Sequence, residues 1–551
     1  MMHMLSLLAC MGLTGPDAPV TEAPAPTFHQ IAFVTDTLSH GTLGDGYLSL
    51  NEAIQLHNGT VTVAQLSTAE QQQVSLLPGS VTTDVTWIDI DSEAISTIVM
   101  QQDLESIVNT PFGLFIRGNG GRVTLDLSAP GVTRGIHSTS SSLVLQGLEF
   151  VGGVAGVEVI QADATGQPGC TLLDCRFLNL AQFGLRVEGS LAGGVGRLIV
   201  EDCVFDGVPD AVVFDESPAD RTTIFEARDV RIEGAANGFD FDCGGGGTAR
   251  FTLDRCVVSC TGTGVDVAAQ ATNGRPMLVE GLHLRVRAPV CARIDGAVDA
   301  VTWVQASMWN LLAPAGGVAL ALGAVGDQVY GDLRELRCEG DVAIATGGAA
   351  QPLRARNLRC RGGAVALSTA PGQPLEVTES RFTGCVVESL GVGAVTLDEC
   401  SFEGGSVGAA TAAGLLQADS CYVGNAGAGL TSTSPRPQPQ LGSLDVSPDD
   451  VAIGGLLQLQ FDLPAGLVGA LALGAVPQFL PFYPPPYYIY MDPAAMVFLP
   501  GVYAGQQSTT WQAPGQPVLL GAQLVVQSAV LPVTAAAPPV QLPPGWRFEL
   551  R

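Results

Sequence analysis

Residues 171–205 read TLLDCRFLNLAQFGLRVEGSLAGGVGRLIVEDCVF, and they decide the fold because they contain one short motif twice. The motif LLDCRF at 172–177 returns as VEDCVF at 200–205, with a second extended run, GLRVE, at 184–188. Diverged copies of the first motif follow at LDRCVV (253–258), VTESRF (377–382) and LDECSF (397–402). A period of 20 to 28 residues with two or three short strands per repeat predicts a solenoid.

The composition excludes several kinds of chemistry. The chain has 551 residues, and all 25 of its basic residues are arginine, which removes lysine nucleophiles and Schiff bases from consideration. Its net charge of −28 opposes nucleic-acid binding, because that binding depends on neutralising phosphates. Such a charge suits an extracellular surface, or a surface that collects divalent cations.

The thirteen cysteines contain no CxxC pair and no cluster with histidine, so a zinc site is not expected. Six of them are predicted to share one repeat position and to form a buried ladder: Cys175, Cys203, Cys256, Cys338, Cys360 and Cys400. Stacked strands lie about 4.8 Å apart, so disulfides remain an alternative to the favoured free thiols.

The first ten residues, MMHMLSLLAC, are apolar and end in LLAC. This ending resembles the lipobox of bacterial lipoproteins, which implies that Cys10 is lipidated and that 11–29 is a Pro-rich tether. A short leader without lipidation is the alternative. The interpretation is an extracellular or cell-surface protein, with an outer-membrane lipoprotein as one form of it. No later segment has the ~18 uninterrupted apolar residues of a membrane helix, so membrane contact is expected only through the lipid.

A short helix is predicted over about 48–58. Ser49 and Glu52 form a capping box, and Gly59 can end the helix. The surrounding DGYLSLNEAI at 45–54 resembles the DG-x-LSLREAI motif of bacterial surface β-helix proteins, with Asn51 where that motif has arginine. The resemblance implies that the helix caps the open end of the solenoid, where strand edges and apolar side chains would otherwise be exposed.

The stretch from 30 to 430 resembles right-handed parallel β-helices of the pectate-lyase-like class, both in repeat shape and in GLFIRGNGGRVTLDL at 113–127. The predicted fold class is therefore all-β: a right-handed parallel β-helix with an N-terminal capping helix. A Pro-rich linker is predicted at 431–440, followed at 441–551 by a small β-sandwich-like module with alternating strands.

Candidate functional residues come from aligning the second strand of successive repeats, because side chains alternate between the two faces of a strand. The alignment predicts two outward-facing columns. The first column is Glu158, Arg186, Val213, Asp240, Asp266 and Arg293. The second column is Ile160, Glu188, Asp215, Asp242, Ala268 and Asp295.

Strand geometry places Asp215 about 5 Å from Asp242, and Asp240 about 7 Å from Asp242. Both spacings match paired carboxylates of glycoside hydrolysis. The candidate catalytic set is Asp215, Asp240, Asp242 and Arg186, with the arginine's role implied by pectate lyases. The candidate glycan- or cation-binding set is Glu188, Asp215, Asp240, Asp242 and Asp266. Clustered carboxylates also suit Ca²⁺, which would be the cofactor.

Complete catalytic motifs are missing from the sequence. The polygalacturonase motifs are absent, and the six histidines (3, 29, 40, 57, 137 and 283) are scattered, so no Ser/His/Asp arrangement is expected. We therefore expect a non-catalytic scaffold that binds polysaccharide or other cell-surface components. The alternatives are a polysaccharide lyase or glycoside hydrolase that uses the acidic cluster, and a spacer without a ligand.

Overall fold

The computed structural model describes residues 30–76, 86–108, 113–139, 142–161, 169–189, 195–216, 222–243, 248–269, 277–296, 301–323, 328–346, 353–369, 375–390 and 394–398, and beyond 398 mainly the strands given below. The predicted leader with Cys10, the tether and most of the linker lie outside the described residues. The chain forms two compact units. The N-terminal unit comprises 1–305 with 309–329, and the C-terminal unit comprises 306–308 with 330–551.

Each unit contains coils of a parallel β-solenoid, which confirms the predicted fold class. A complete coil has three strands, and each of them pairs in parallel with its equivalent in the next coil. The short strand Val74–Leu76 is an exception, because it pairs antiparallel with Gln30–Val34. We call the three resulting sheets sheet 1, sheet 2 and sheet 3, in the order in which the chain enters them. The right hand of the winding stays a prediction from the resemblance.

The strands of the N-terminal unit follow in three groups. Sheet 1 contains Gln30–Val34, Val74–Leu76, Trp87–Asp91, Leu114–Asn119, Leu143–Gln146, Gly169–Leu173, Val195–Glu201, Thr222–Arg228, Ala249–Asp254, Met277–Leu282 and Val301–Ser307. Sheet 2 contains Thr97–Val99, Val123–Asp126, Leu148–Val151, Arg176–Leu178, Val204–Asp206, Arg231–Ala235, Val257–Cys260, Arg285–Arg287 and Asn310–Leu312. Sheet 3 contains Arg134–Thr139, Ala155–Gln161, Phe183–Gly189, Asp210–Glu216, Asn237–Cys243, Thr263–Ala269, Val290–Asp295 and Val318–Leu322.

The coils of the C-terminal unit are built in the same way. Sheet 1 contains Gln328–Arg334, Leu353–Arg356, Leu375–Thr378, Ala394–Asp398, Leu415–Asp419 and Thr431–Ser434. Sheet 2 contains Arg337–Glu339, Arg359–Arg361, Arg381–Thr383, Ser401–Glu403 and Tyr422–Gly424. Sheet 3 contains Asp341–Thr346, Ala364–Thr369, Val386–Ser389 and Ser406–Ala409.

The last hundred residues contain strands of mostly antiparallel pairing. One three-stranded sheet has the order Ser443–Ser447, Leu456–Asp462, Gln506–Gln512. A five-stranded sheet has the order Asp450–Val451, Trp546–Leu550, Gln523–Pro532, Leu467–Gly474, Val497–Tyr503. A two-stranded pair joins Leu480–Pro481 and Tyr488–Ile489. These strands agree with the predicted all-β character of this region.

The predicted capping helix is present at Leu50–Asn58. Ser49 and Glu52 form the capping box, and Gly59 ends the helix with a φ of 73° in the left-handed region. Asn51, which stands where the surface-protein motif has arginine, is buried and accepts a hydrogen bond from the Glu105 backbone at 2.7 Å. A 3₁₀ turn at Val63–Gln65 and a short helix at Thr68–Gln71 follow it.

Alternation along each strand places one set of side chains in the core. In sheet 2, the inward residues Phe150, Phe177 and Phe205 are directly paired and fully buried. Their rings stack with centroids 4.9 and 4.7 Å apart, a separation typical of favourable offset stacking. The repeat of LEF, CRF and CVF in the sequence therefore specifies a column of stacked rings.

The corner from sheet 1 to sheet 2 is made by one residue with positive φ in nearly every described coil. Among the non-glycine residues at this corner are Asp174, Asp202, Arg255, Glu335 and Asn357. The corner corrects the predicted cysteine ladder. Cys175, Cys203 and Cys256 are each the first residue after the corner residue. Cys338 and Cys360 are each the third residue after it, which is the position of Phe177 and Phe205 in the other unit. All ten described cysteines are free thiols, as predicted.

Candidate functional site

The outward face of sheet 3 brings the predicted candidate residues together in the N-terminal unit. Strand pairing reproduces both predicted columns. In the first column Glu158 pairs with Arg186 and Asp266 with Arg293, and in the second column Asp215 pairs with Asp242. The columns face outward because their neighbours along each strand, such as Phe239 and Phe241, are fully buried.

Arginines in the columns are already bound to acids. Arg293 donates from Nε to Oδ1 of Asp266 at 2.9 Å, and its Nη2 reaches the other oxygen of that carboxylate. The same arginine lies 3.8 Å from Asp295. Arg186, the predicted catalytic arginine, forms an ion pair with Glu188 on its own strand. Each of these two guanidinium groups is therefore held in an ion pair with a carboxylate of the same face.

Asp240 has the most unusual environment among the predicted acids. Partial burial raises the pKa of its carboxyl group, and the neighbouring carboxylates Asp266, Asp210 and Asp242 raise it further. Arg293 opposes this shift. Asp240 consequently keeps a proton to higher pH than an ordinary aspartate, as a general acid must.

Asp215 and Asp242 are direct partners on neighbouring strands. Their Cα atoms are therefore about 4.8 Å apart, the separation of adjacent strands. Among the described residues, no group of three or more His, Cys, Asp or Glu side chains could hold a metal ion. The predicted Ca²⁺ site thus has no coordination set in the described part of the chain.

The sequence interpretation missed a polar cluster at the N-terminal end of the first column. Ile107 forms a bridge with Ser138, which places Ser106 beside His137, and His137 pairs with Glu158. The column therefore begins Ser106, His137, Glu158. Only a Ser/His/Asp arrangement was considered from the sequence, and the acid in this cluster is a glutamate. The alternation in GIHST at 135–139 was the available signal, since it puts His137 on the outward face.

Contacts within this cluster are short. Oγ of Ser106 lies 2.7 Å from Nδ1 of His137, and Nε2 of His137 lies 3.8 Å from Oε2 of Glu158. Nη1 of Arg134 donates to the same Glu158 oxygen at 2.5 Å. Burial lowers the pKa of His137, and the positive charge of Arg134 lowers it further, against the opposing effect of Glu158 and Asp103. The imidazole is therefore held in its neutral form.

The C-terminal unit has a different charged feature, at the corner between sheets 1 and 2. Burial raises the pKa of Glu335 to about 8, although Arg359, Arg334 and Arg356 favour its charged form. Its Oε2 atom is buried without a hydrogen-bond partner. Arg356 instead binds Glu379, with Nη2 2.6 Å from Oε1. The corner thus contains one carboxyl group that is protonated near neutral pH.

No protein-family model matches this chain, and no curated protein or solved structure is significantly similar to it. No helix among the described residues is long and apolar enough to span a bilayer. The parallel β-solenoid is shown by strand pairing, whereas the pectate-lyase-like type and the bacterial origin stand on resemblance alone.

Proposed function

We propose that this chain is an exported bacterial β-helix protein of the cell surface or extracellular space, which binds glycans without degrading them. The binding surface is the outward face of sheet 3, which we call the sheet 3 track: Arg186, Glu188, Asp215, Asp240, Asp242, Asp266 and Arg293. Lipidation at Cys10 is part of this proposal as the means of attachment.

The observation that carries the proposal is the pairing of the track's arginines with its acids. Arg293 is bound to Asp266 and Arg186 to Glu188, so the positive charge of each guanidinium is already offset by a neighbouring carboxylate. The carboxylates on successive strands instead present hydrogen-bond acceptors at a regular spacing of about 4.8 Å. Sugar hydroxyl groups donate well to carboxylates.

The charge of the track favours one class of glycan. The track consists of five acidic residues and two arginines, so this surface is negatively charged. The protein as a whole is also negative, with a net charge of −28. A negative face repels uronate polymers and suits neutral or amino-bearing sugars. This supports a neutral or amino-sugar polysaccharide as the ligand class.

Titration calorimetry with neutral, amino-bearing and acidic polysaccharides tests the proposal. We expect neutral or amino-bearing polymers to bind and the Asp240→Asn/Asp242→Asn variant to bind at least about tenfold more weakly, since a hydrogen bond to a charged group contributes about 1.5–3 kcal/mol. Glu388→Gln is the matched control, because Glu388 occupies an outward sheet 3 position in the C-terminal unit. Binding that the double variant leaves unchanged would refute the assignment of the track.

One observation favours the second candidate, a glycoside hydrolase or lyase. The pKa of the Asp240 carboxyl group is raised beside the carboxyl group of Asp242, and a carboxyl group with a raised pKa can serve as a general acid. Reducing-end or unsaturated-product assays on the same polymers decide between the candidates. Product release that Asp240→Asn abolishes would replace the binding proposal by the enzymatic one.

A further inference from the structure

The cluster at the N-terminal end of the first column has the arrangement of a nucleophile, a base and an orienting acid. Ser106 is partly exposed, and its hydroxyl lies 2.7 Å from Nδ1 of His137. This distance is within the 2.6–3.2 Å that a nucleophile and its general base require. Glu158 lies on the far side of the imidazole, 3.8 Å from Nε2.

The segment that contains the serine is held by hydrogen bonds to the capping helix and to the strand of His137. Nδ2 of Asn58, the last residue of the capping helix, donates to the Ser106 carbonyl at 2.8 Å. The Val108 backbone donates to Oδ1 of the same asparagine at 3.1 Å. The Ile107 backbone donates to the His137 carbonyl at 2.9 Å. The first two bonds tie residues 106–108 to the capping helix, and the third ties Ile107 to the strand that carries the histidine.

The protonation pattern follows from these contacts. When the Ser106 hydroxyl donates to Nδ1 of His137, the ring hydrogen is on Nε2, and that hydrogen faces the Glu158 carboxylate. Nε2 is buried and has no hydrogen-bond partner, while the whole His137 residue is only 9% exposed. A closure of about 1 Å would bring Nε2 and Glu158 into hydrogen-bond distance, and catalytic contacts often tighten in this way when substrate binds. Arg134 holds Glu158 in place.

We propose that Ser106, His137 and Glu158 form a hydrolytic site for carboxylic esters. Oγ of Ser106 attacks the ester carbonyl carbon while Nδ1 of His137 takes the hydroxyl proton, and Glu158 stabilises the resulting imidazolium. The imidazolium then protonates the departing alkoxide, which leaves as an alcohol and an acyl-serine remains. Water attacks the acyl group with His137 again as base, so the products are one carboxylic acid and the free serine. Ser106 and His137 are the catalytic residues, and Glu158 is a positioning residue.

The chain contains a second serine–histidine contact that serves as a control. Oγ of Ser39 lies 2.8 Å from Nδ1 of His40, a distance close to that in the proposed site. Ser39 is fully buried, and its hydroxyl also accepts the Gln101 backbone N–H at 3.1 Å. Ser39 therefore cannot reach a substrate, and Ser39→Ala is expected to leave ester hydrolysis unchanged.

The test is hydrolysis of p-nitrophenyl acetate by the full chain, together with labelling by a fluorophosphonate probe and location of the label by mass spectrometry. We expect labelling at Ser106 and a loss of at least about 100-fold in hydrolysis for Ser106→Ala and His137→Gln, the range that general acid–base catalysis contributes. Circular dichroism checks that each variant folds. Labelling at another residue, or hydrolysis that survives Ser106→Ala, would overturn the proposal.

The pH profile separates a positioning role of Glu158 from a purely structural one. The hydrolysis rate should rise with pH through the pKa of His137, because only the neutral imidazole accepts a proton. Arg134, Glu158 and Asp103 are the charged groups that set this pKa. Glu158→Gln removes a negative charge, so we expect a lower rate and a shift of the rising limb to lower pH. A uniform loss of rate without this shift would exclude the assigned role of Glu158.

Discussion

The outward face of sheet 3 differs sharply between the two units. In the N-terminal unit the first column carries Glu158, Arg186, Asp240, Asp266 and Arg293. In the C-terminal unit the central outward positions are Ala343, Ala366, Glu388 and Gly408. The backbone and its pairing are the same in both, so the solenoid alone does not require charge at these positions.

The units also differ in the length of their coils. Arg176 pairs with Val204, 28 residues later, whereas Arg337 pairs with Arg359, 22 residues later. The charged columns thus occur in the longer coils. Candidate chemistry in this protein is therefore separable from the fold, since one set of coils has it and the other keeps the same strand pairing without it.

The largest expected effect concerns the core, where the same sheet 2 position holds Phe205 in one unit and Cys360 in the other. Phe205→Ala removes a ring stacked on Phe177, and we expect it to lower the free energy of unfolding by about 3–5 kcal/mol. Cys360→Ala should cost about 1 kcal/mol, because far less buried volume is lost. Urea unfolding followed by circular dichroism measures both variants. Equal losses would show that the two cores do not differ in this way.

An intermediate effect on stability is expected at Glu335. Among the described residues of the N-terminal unit, no carboxyl group has a pKa raised as far as that of Glu335. The folded state raises the pKa of this carboxyl group from 4.5 to about 8. Folding is therefore favoured by the retained proton at low pH, and stability falls as pH rises between these two values. Glu335→Gln should remove this fall and be roughly 1–3 kcal/mol more stable than the wild type above pH 8, since it avoids an unpaired buried charge.

The thermal unfolding midpoint of the wild type and Glu335→Gln, measured from pH 4 to 9, checks this prediction. Glu376→Gln is the matched control, because Glu376 is 39% exposed and pairs with Arg354 in the same unit. The wild type and the Glu335 variant should converge near pH 4.5. A constant difference across the whole range would contradict the titration of Glu335.

The smallest effect concerns single ion pairs of the two units. Arg293→Met breaks the pair with Asp266, which is 16% exposed, and Arg354→Met breaks the pair with Glu376. Both changes should cost less than about 1 kcal/mol, with the larger loss at Arg293, because its partner is less screened by water. Chemical denaturation at low and high salt measures this. A larger loss for Arg354→Met would reverse the ranking.

Much of the fold and of the charged columns could be predicted because both depend on local repetition. Alternation along GLRVE and GFDFD places Arg186 and Asp240 on one face, and the repeat period then stacks them in register. The helix at Leu50–Asn58 was equally visible, since Ser49, Glu52 and Gly59 act within one turn of their own helix.

The proposed hydrolytic site could not be predicted in the same way. Ser106 lies in 101–108, a segment without a repeat motif. Its position depends on two bonds with a helix far away in sequence: Asn51 accepts from the Glu105 backbone, and Asn58 donates to the Ser106 carbonyl.

The predicted cysteine ladder was wrong only in its single register. Cys175 and Cys203 share one buried position, whereas Cys338 and Cys360 pair at another. The corner residues that fix these positions, such as Glu335 and Asn357, carry no glycine signal.

The corners between the sheets have a practical consequence for engineering. The residues of positive φ at the two ends of sheet 2 are spaced identically in coils of both units, as in Asp174 with Asn179, Asp202 with Gly207, and Asn357 with Gly362. This side of the coil has a fixed length, so differences in coil length fall in the rest of the coil, which includes the connection between the end of sheet 3 and the next strand of sheet 1. A foreign peptide grafted there would extend a connection that already varies, whereas one added residue between the sheet 2 corners would disturb the pairing of that sheet 2 strand with its neighbours.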